Sequence, residues 1–140
     1  MNKNLQLTIF GCIDGLVIFL GLTIGLIVAH QSQVAVWHAA LGGAGGELVG
    51  MTAGQHLSDP ESGWSTALLC GVSSAVACLL PAIPYVTMTH NYAIIISLVV
   101  AVVIAGVIAR MRPEHGMSAV VRTYGIIIAA GIISGLTGLV

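Results

Sequence analysis

The sequence predicts an all-α integral membrane protein, and three features of its 140 residues carry that prediction. Hydrophobic residues make up 57% of the chain and charged residues only 6%, whereas a soluble domain is about 25% charged. The chain contains several apolar runs of roughly the 20 residues that a helix needs to cross a bilayer. Its 18 glycines suit membrane helices, because a face of glycines lets two helix backbones approach closely.

The apolar runs predict five transmembrane helices, which together make residues 1–140 a single transmembrane domain. The predicted helices cover residues 5–29, 34–56, 63–86, 91–110 and 118–140. Polar segments separate these runs, and Pro60 and Pro113 lie between them, where proline commonly marks a helix boundary. Because the connections are short, we expect successive helices to be antiparallel neighbours.

Glycines repeat every four residues in three of the predicted helices. They are Gly21 and Gly25 in the first, Gly42, Gly46, Gly50 and Gly54 in the second, and Gly131 and Gly135 in the fifth. This spacing places the glycines of each helix on one flat face, against which another backbone can pack. We therefore expect the first, second and fifth helices at the centre of the bundle. The fourth helix is almost uniformly aliphatic, which predicts that it faces lipid.

The basic residues predict the orientation of the helices in the membrane. With five crossings, Lys3, Arg110, Arg112 and Arg122 all fall on one side. The positive-inside rule then predicts a multi-pass protein whose N-terminus is cytoplasmic and whose C-terminus is outside or lumenal; in a prokaryote, this membrane would be the cell membrane. The net charge of −1 gives no basic surface for nucleic acid, so we expect no nucleic-acid partner.

Asp14 and Glu47 are the two acidic residues inside the predicted helices. A charged residue at mid-membrane costs roughly 2.5 to 3.5 kcal/mol on insertion scales, so a carboxylate there indicates a functional site. Asp14 lies nine residues from residue 5 and Glu47 nine residues from residue 56, which predicts equal depth in antiparallel helices. Two neighbouring carboxylates in a low dielectric repel unless they share a proton or a cation. Arg122 is the nearest basic residue, and we expect it near the membrane surface.

Met51 lies one helical turn after Glu47, and Gln55 lies one turn further along the same face. A thioether beside carboxylates favours a borderline transition metal over Mg²⁺ or Ca²⁺, which prefer oxygen ligands. The sequence thus offers Asp14, Glu47 and Met51 as candidate metal ligands. The alternative interpretation is structural: protonated carboxyls bonded to neighbouring helices, and a methionine that packs. The cysteines are expected to be packing groups.

Several sequence motifs resemble those of the vacuolar iron transporter family. Asp14-Gly15-Leu16 opens a glycine-spaced helix, and residues 50–58 (Gly-Met-Thr-Ala-Gly-Gln-His-Leu-Ser) close the next one. Residues 79–85 look like the family's Leu-Pro-x-x-Pro-Tyr signature, and residues 131–140 look like its glycine-rich closing helix. The similarity covers nearly the whole chain, with the motifs in the family's order.

The resemblance implies a homodimer of five-helix protomers, with the first helices at the dimer axis, around Asp14, Gly21 and Gly25. It further implies that metal crosses between the subunits by proton antiport. Asp14 and Met51 correspond to pathway positions of the family. The chain would be a short member, because residues 58–62 replace the long cytoplasmic extension that carries metal-binding glutamates in many relatives.

Three further positions belong to the predicted pathway because they correspond to functional positions of the family. Gly43 stands where the family commonly has a glutamate, and Glu47, one turn later, would be the relocated carboxylate. Gln55 and His56 replace a Glu-Tyr pair near the cytoplasmic mouth. His38 and His56, near the two ends of the second helix, are candidates to line its exit and entrance.

Together these features predict a transporter that exports a divalent transition metal, Fe(II) or else Mn(II), from the cytoplasm in exchange for protons. The metal would be a transported substrate, with no permanently bound cofactor. The expected partners are metal ions, protons, the lipid bilayer and a second copy of the chain. Two alternatives remain open: a non-transporting membrane assembly module, and a passive cation channel. The sequence shows no nucleophile–base pair or hydrolytic triad, so we expect no enzymatic activity.

Overall fold

The computed structural model describes residues 2–112 and 116–139, which form helices and no strands. The α-helices are α1 (Lys3–Val28), α2 (Gln33–Ser58), α3 (Gly63–Leu79), α4 (Pro84–Thr87), α5 (His90–Met111) and α6 (Met117–Thr137). Two short 3-10 turns, Pro60–Ser62 and Leu80–Ala82, lie on either side of α3. The predicted all-α class is confirmed.

Four segments of the described residues are long and apolar enough to cross a membrane. They are Lys3–Val28, Gly63–Thr87, His90–Met111 and Met117–Thr137, the architecture of a multi-pass membrane protein. The remaining long helix, α2, has 26 residues like α1 but is less apolar, because it contains several glycines, two histidines, two glutamines and Glu47 among its aliphatic residues. The predicted number of five crossings therefore depends on α2 and stays a prediction.

The third predicted helix is interrupted, whereas the others have nearly the predicted bounds. α3 ends at Leu79, a 3-10 turn follows, and α4 begins at Pro84. Pro81 and Pro84 explain the break, because proline has no amide hydrogen for the helix ladder and its ring crowds the preceding turn. The continuous apolar run hid this interruption. Residues 113 and 140, predicted as a boundary and a helix end, lie outside the described residues.

Contacts between helix ends establish an up-and-down arrangement. The side chain of Lys3, at the start of α1, forms an ion pair with Asp59, which follows α2. At the opposite end, the side-chain amide of Gln33 donates to the backbone carbonyls of Tyr85 and Met88. We call these the Lys3 end and the His30 end of the bundle. Their contacts confirm that α1, α2 and the α3–α4 segment run antiparallel in turn.

Glycine packing places α1 against α3 at the centre of the fold, and α1 also contacts α2, α5 and α6. A methyl group at Gly11 or Gly15 would overlap the α3 backbone at Cys70 or Ser74, respectively. A methyl group at Gly71, on α3, would overlap α2 near Leu48. These three glycines therefore allow α1, α2 and α3 to meet closely at one level.

The predicted packing of the glycine stripes is confirmed for α1 and α6, whose stripes face each other's helices near Ser134 and Ile24, but α2 differs. A methyl group at Gly42, Gly46, Gly50 or Gly54 would meet nothing within 4 Å, so this stripe of α2 is open within the protomer. The prediction of a centre built from the first, second and fifth helices is wrong. Few residues of α2 and α6 are buried, whereas α3 is packed against both α1 and α2. A glycine repeat marks a flat face but does not identify what covers it.

Candidate functional site

Asp14 and Glu47 lie close enough for their carboxyl groups to interact directly. Ser74, a fully buried residue of α3, donates a hydrogen bond from its hydroxyl to Glu47 Oε2 over 2.7 Å. The three helices α1, α2 and α3 therefore meet at one polar point. The equal depth that the sequence predicts for the two acids brings them together in the structure.

The local packing explains why Ser74 can reach Glu47. Gly15, the neighbour of Asp14, is so close to the carbonyl of Ser74 that a side chain there would overlap it. The absence of a Cβ at Gly15 thus fixes the distance between α1 and α3 at the level of the acids. A larger residue would push α3 away from α1 and, with it, Ser74 away from its present position.

No lysine or arginine of the described residues balances the charge of Asp14; the charged group that it interacts with is Glu47. The ion pair of Lys3 and Asp59 lies at the Lys3 end, well removed along the helices. Two neighbouring carboxylates in a low-dielectric site are compatible with a shared proton or with a bound cation. The pair is therefore suited to exchange one for the other.

A cavity of about 350 Å³ adjoins the acid pair on its Lys3 side. Its lining consists of Phe10 from α1, Gly50, Met51, Gly54, Gln55 and Ser58 from α2, and Cys70 from α3. The predicted line of Met51 and Gln55 thus faces one common space. We call this space the Met51 cavity. Its lining residues carry a thioether, a thiol, an amide and a hydroxyl.

Cys70 and Ser74 are site residues that the sequence analysis missed. They lie four residues apart, on one face of α3, which faces the polar point between α1 and α2. The thiols of Cys12 and Cys78 donate to the backbone carbonyls of Ser73 and Ala40, respectively, each over 3.7 Å. The i, i+4 spacing of Cys70 and Ser74 predicts that they share a face of α3. It does not predict which helices that face contacts, so it could not assign them to the site.

The structure does not bring Gly43 or His56 to the acid pair. A methyl group at Gly43 would meet the side chain of Leu22 at 2.9 Å, so helix packing occupies the space that a carboxylate there would need. The ring of His56 stacks on Trp64 with a centroid separation of 3.9 Å. His38 is exposed on α2, more than two helical turns from Glu47.

Across the described residues, no group of three or more His, Cys, Asp and Glu side chains is arranged to hold a metal ion. The protomer instead presents a carboxyl pair with sulfur atoms in the adjoining cavity. Comparisons with protein-family models, curated proteins and solved structures gave no match to this chain. The resemblance to the vacuolar iron transporter family therefore stays a prediction.

Proposed function

We propose that this protein transports a divalent transition metal, Fe(II) or Mn(II), out of the cytoplasm in exchange for protons. The observation that carries the proposal is the contact between Asp14 and Glu47, on two helices of a membrane bundle. Retaining two carboxyl groups at that depth is costly, and structural packing alone would be served equally well by apolar side chains. A cation substrate gives both groups a role.

The exchange follows from the chemistry of the pair. When the site is empty, the two carboxyls share a proton, because both charges together would be unfavourable. A metal ion needs deprotonated ligands, so its arrival releases that proton. The hydrogen bond from Ser74 holds Glu47 Oε2 and leaves the other carboxylate oxygens of the pair for the ion. Met51, one turn from Glu47, adds a sulfur ligand that favours a transition metal.

The proposed transporter is a symmetric homodimer, because one protomer supplies too few ligands. Its contact surface comprises the open glycine stripe of α2 and the neighbouring face of α1. Gly50 and Gly54 belong both to that stripe and to the wall of the Met51 cavity. A second copy seated on the stripe would therefore complete the cavity and bring a second set of ligands to it. A two-fold axis makes the contact self-complementary.

Two features of the protomer support that dimer surface. Only Val36, Ala40 and Ala44 of α2 are buried, yet α2 is less apolar than the four membrane spans, so protein is a better neighbour for it than lipid. An apolar groove of about 600 Å³ also runs between α1 and α6, next to Val17 and Ile18. Gly21 and Gly25 pack against α6 of the same protomer instead of the partner, since Ser134 lies close to both.

In this proposal α2 is the fifth crossing, shielded from lipid by its own protomer and by the partner. The Lys3 end is cytoplasmic by the positive-inside rule, so the Met51 cavity gives access to the acids from the cytoplasm. The chain then represents a state that accepts metal from inside.

Proteoliposomes containing the purified protein test the proposal. We expect a pH gradient that is acidic on the side receiving the metal to drive accumulation of Fe(II) or Mn(II) on that side. Protons should move measurably in the opposite direction. Metal flux that needs no proton gradient and moves no protons would instead indicate a passive channel. Absence of any flux from a well-folded protein would indicate the assembly module and overturn the proposal.

A further inference from the structure

We infer that Cys70 is a metal ligand, and that it forms with Met51 a sulfur site through which the transported ion passes on its way to Asp14 and Glu47. This inference rests on the proposed function and specifies the class of metal that the path accepts. Two sulfur donors select for borderline and soft transition-metal ions, such as Fe(II), Zn(II) or Cd(II), and against Mg²⁺ and Ca²⁺.

The first observation is a difference among the three thiols. Those of Cys12 and Cys78 each have a backbone carbonyl as hydrogen-bond partner. Cys70 is buried to the same degree as Cys78, with 1% of its surface exposed, but none of the described residues forms a hydrogen bond with its thiol. A buried thiol whose donor capacity is unused is available to an incoming ligand.

The second observation is the space that Cys70 faces. Cys70 and Met51 line the same cavity from two different helices, so an ion in that volume would lie between a thiol-bearing residue of α3 and a thioether-bearing residue of α2. A water molecule occupies about 30 Å³ of liquid, so a cavity of about 350 Å³ has room for an ion that keeps several of its waters. Gln55 and Ser58 also line the cavity, and their side-chain oxygens can accept hydrogen bonds from those waters.

The third observation links the cavity to the acids. The Cys70 thiol is close enough to Asp14 and Glu47 to interact with both electrostatically. A cation bound at Cys70 would therefore be attracted toward the carboxyls. Metal binding replaces the thiol proton, which leaves to the water of the cavity as the sulfur–metal bond forms. Transfer to the carboxyls reverses that step, and Cys70 regains a proton from the cavity.

Cd(II) and Co(II) binding to the full-length protein in detergent tests the inference. Calorimetric titration gives the Cd(II) affinity, and a sulfur-to-metal charge-transfer band with Co(II) reports thiolate ligation directly. We expect Cys70→Ala to weaken Cd(II) binding at least about tenfold, as losing a metal-site partner commonly does, and to remove the band. Cys78→Ala, at an equally buried thiol with a carbonyl partner, is the matched control and should keep both.

Unchanged Cd(II) affinity and an intact band in Cys70→Ala would overturn the inference, as would equal losses in Cys78→Ala. Should Cys70→Ala fail to fold, a Cys12→Ala/Cys78→Ala protein replaces it, and Cd(II) should then slow labelling of Cys70 by a small thiol reagent. Equal labelling rates with and without Cd(II) would overturn the inference.

Asp14→Asn separates the two proposals: if it abolishes binding while Cys70→Ala does not, the thiol role fails and the transport proposal stands. If the unmodified protein binds no Cd(II), both fail.

Discussion

The Lys3 half and the His30 half of the bundle each contain a cavity beside α1, and the two cavities differ in chemistry. The Met51 cavity in the Lys3 half has sulfur, amide and hydroxyl groups and adjoins the Asp14–Glu47 pair. The cavity in the His30 half, about 170 Å³, lies mainly among Phe19, Ile24, Ile27, Val28, Ile94 and Leu98. Thr23, Tyr85 and Ser97 also line it, but they present apolar atoms to the cavity.

The comparison shows that α1 borders a cavity with polar lining residues in its Lys3 half and a mainly apolar cavity in its His30 half. In the His30 half, Ser97 donates its hydroxyl hydrogen to the carbonyl of Pro81, beside the proline break. The hydroxyl of Thr23 is buried and has no hydrogen-bond partner among the described residues. In the proposed transport cycle, an ion at the acid pair would have candidate ligands on the Lys3 side and a largely apolar barrier on the His30 side. Release on the far side requires this second half to rearrange.

Removing a carboxyl should have the largest effect, because it abolishes the feature that distinguishes the Lys3 half. We expect Asp14→Asn and Glu47→Gln each to eliminate most metal transport in proteoliposomes while the protein stays folded, since neutralising a half-buried acid relieves its desolvation cost. Glu61→Gln, which changes an exposed acid between α2 and α3, is the control and should retain transport. Transport by Glu47→Gln at the unmodified rate would show that Asp14 and Met51 carry the site alone.

Two glycines of the Lys3 half separate folding from assembly. Gly15→Val should disrupt the protomer, because its side chain would overlap the backbone of Ser74; overpacking of this kind costs typically 1 to 3 kcal/mol. Gly46→Val adds the same atoms to the open stripe of α2 and should leave the protomer folded while weakening the dimer. Thermal unfolding and light scattering after gel filtration measure the two effects. A Gly46→Val protein that dimerises like the parent would place the contact elsewhere.

Met51→Leu should alter selectivity more than rate. The substitution keeps nearly the same volume but removes the thioether from the Met51 cavity. Fe(II) is softer than Mn(II) and gains more from a sulfur ligand, so we expect transport of Fe(II) to fall several-fold relative to that of Mn(II). Competition between the two ions in one flux assay gives this ratio directly. Equal losses for both ions would assign Met51 to packing.

Particular residues show how far the sequence predicts this site. The pairing of Asp14 with Glu47 follows from counting residues along antiparallel helices, and the common face of Met51 and Gln55 follows from helical periodicity. The role of Ser74 depends on how α3 is rotated about its axis relative to α1 and α2. The residue periodicity within one helix does not determine that rotation. For the same reason, the four-residue glycine spacing of α2 does not identify which helix packs on that stripe.

The smallest effect concerns the His30 half. Thr23→Val keeps the shape of the side chain and removes a buried hydroxyl for which the described part of the chain offers no hydrogen-bond partner. Leaving such a group unsatisfied costs about 1 to 3 kcal/mol, so we expect the variant to be modestly more stable to thermal unfolding in detergent. Ser74→Ala is the counterpart in the Lys3 half, where the hydroxyl donates to Glu47, and it should lower stability or metal affinity. A loss of stability in Thr23→Val would mean that water bridges the hydroxyls of the His30 cavity. The two halves would then both be hydrated, and the barrier to release would lie in the movement of the helices rather than in an apolar seal.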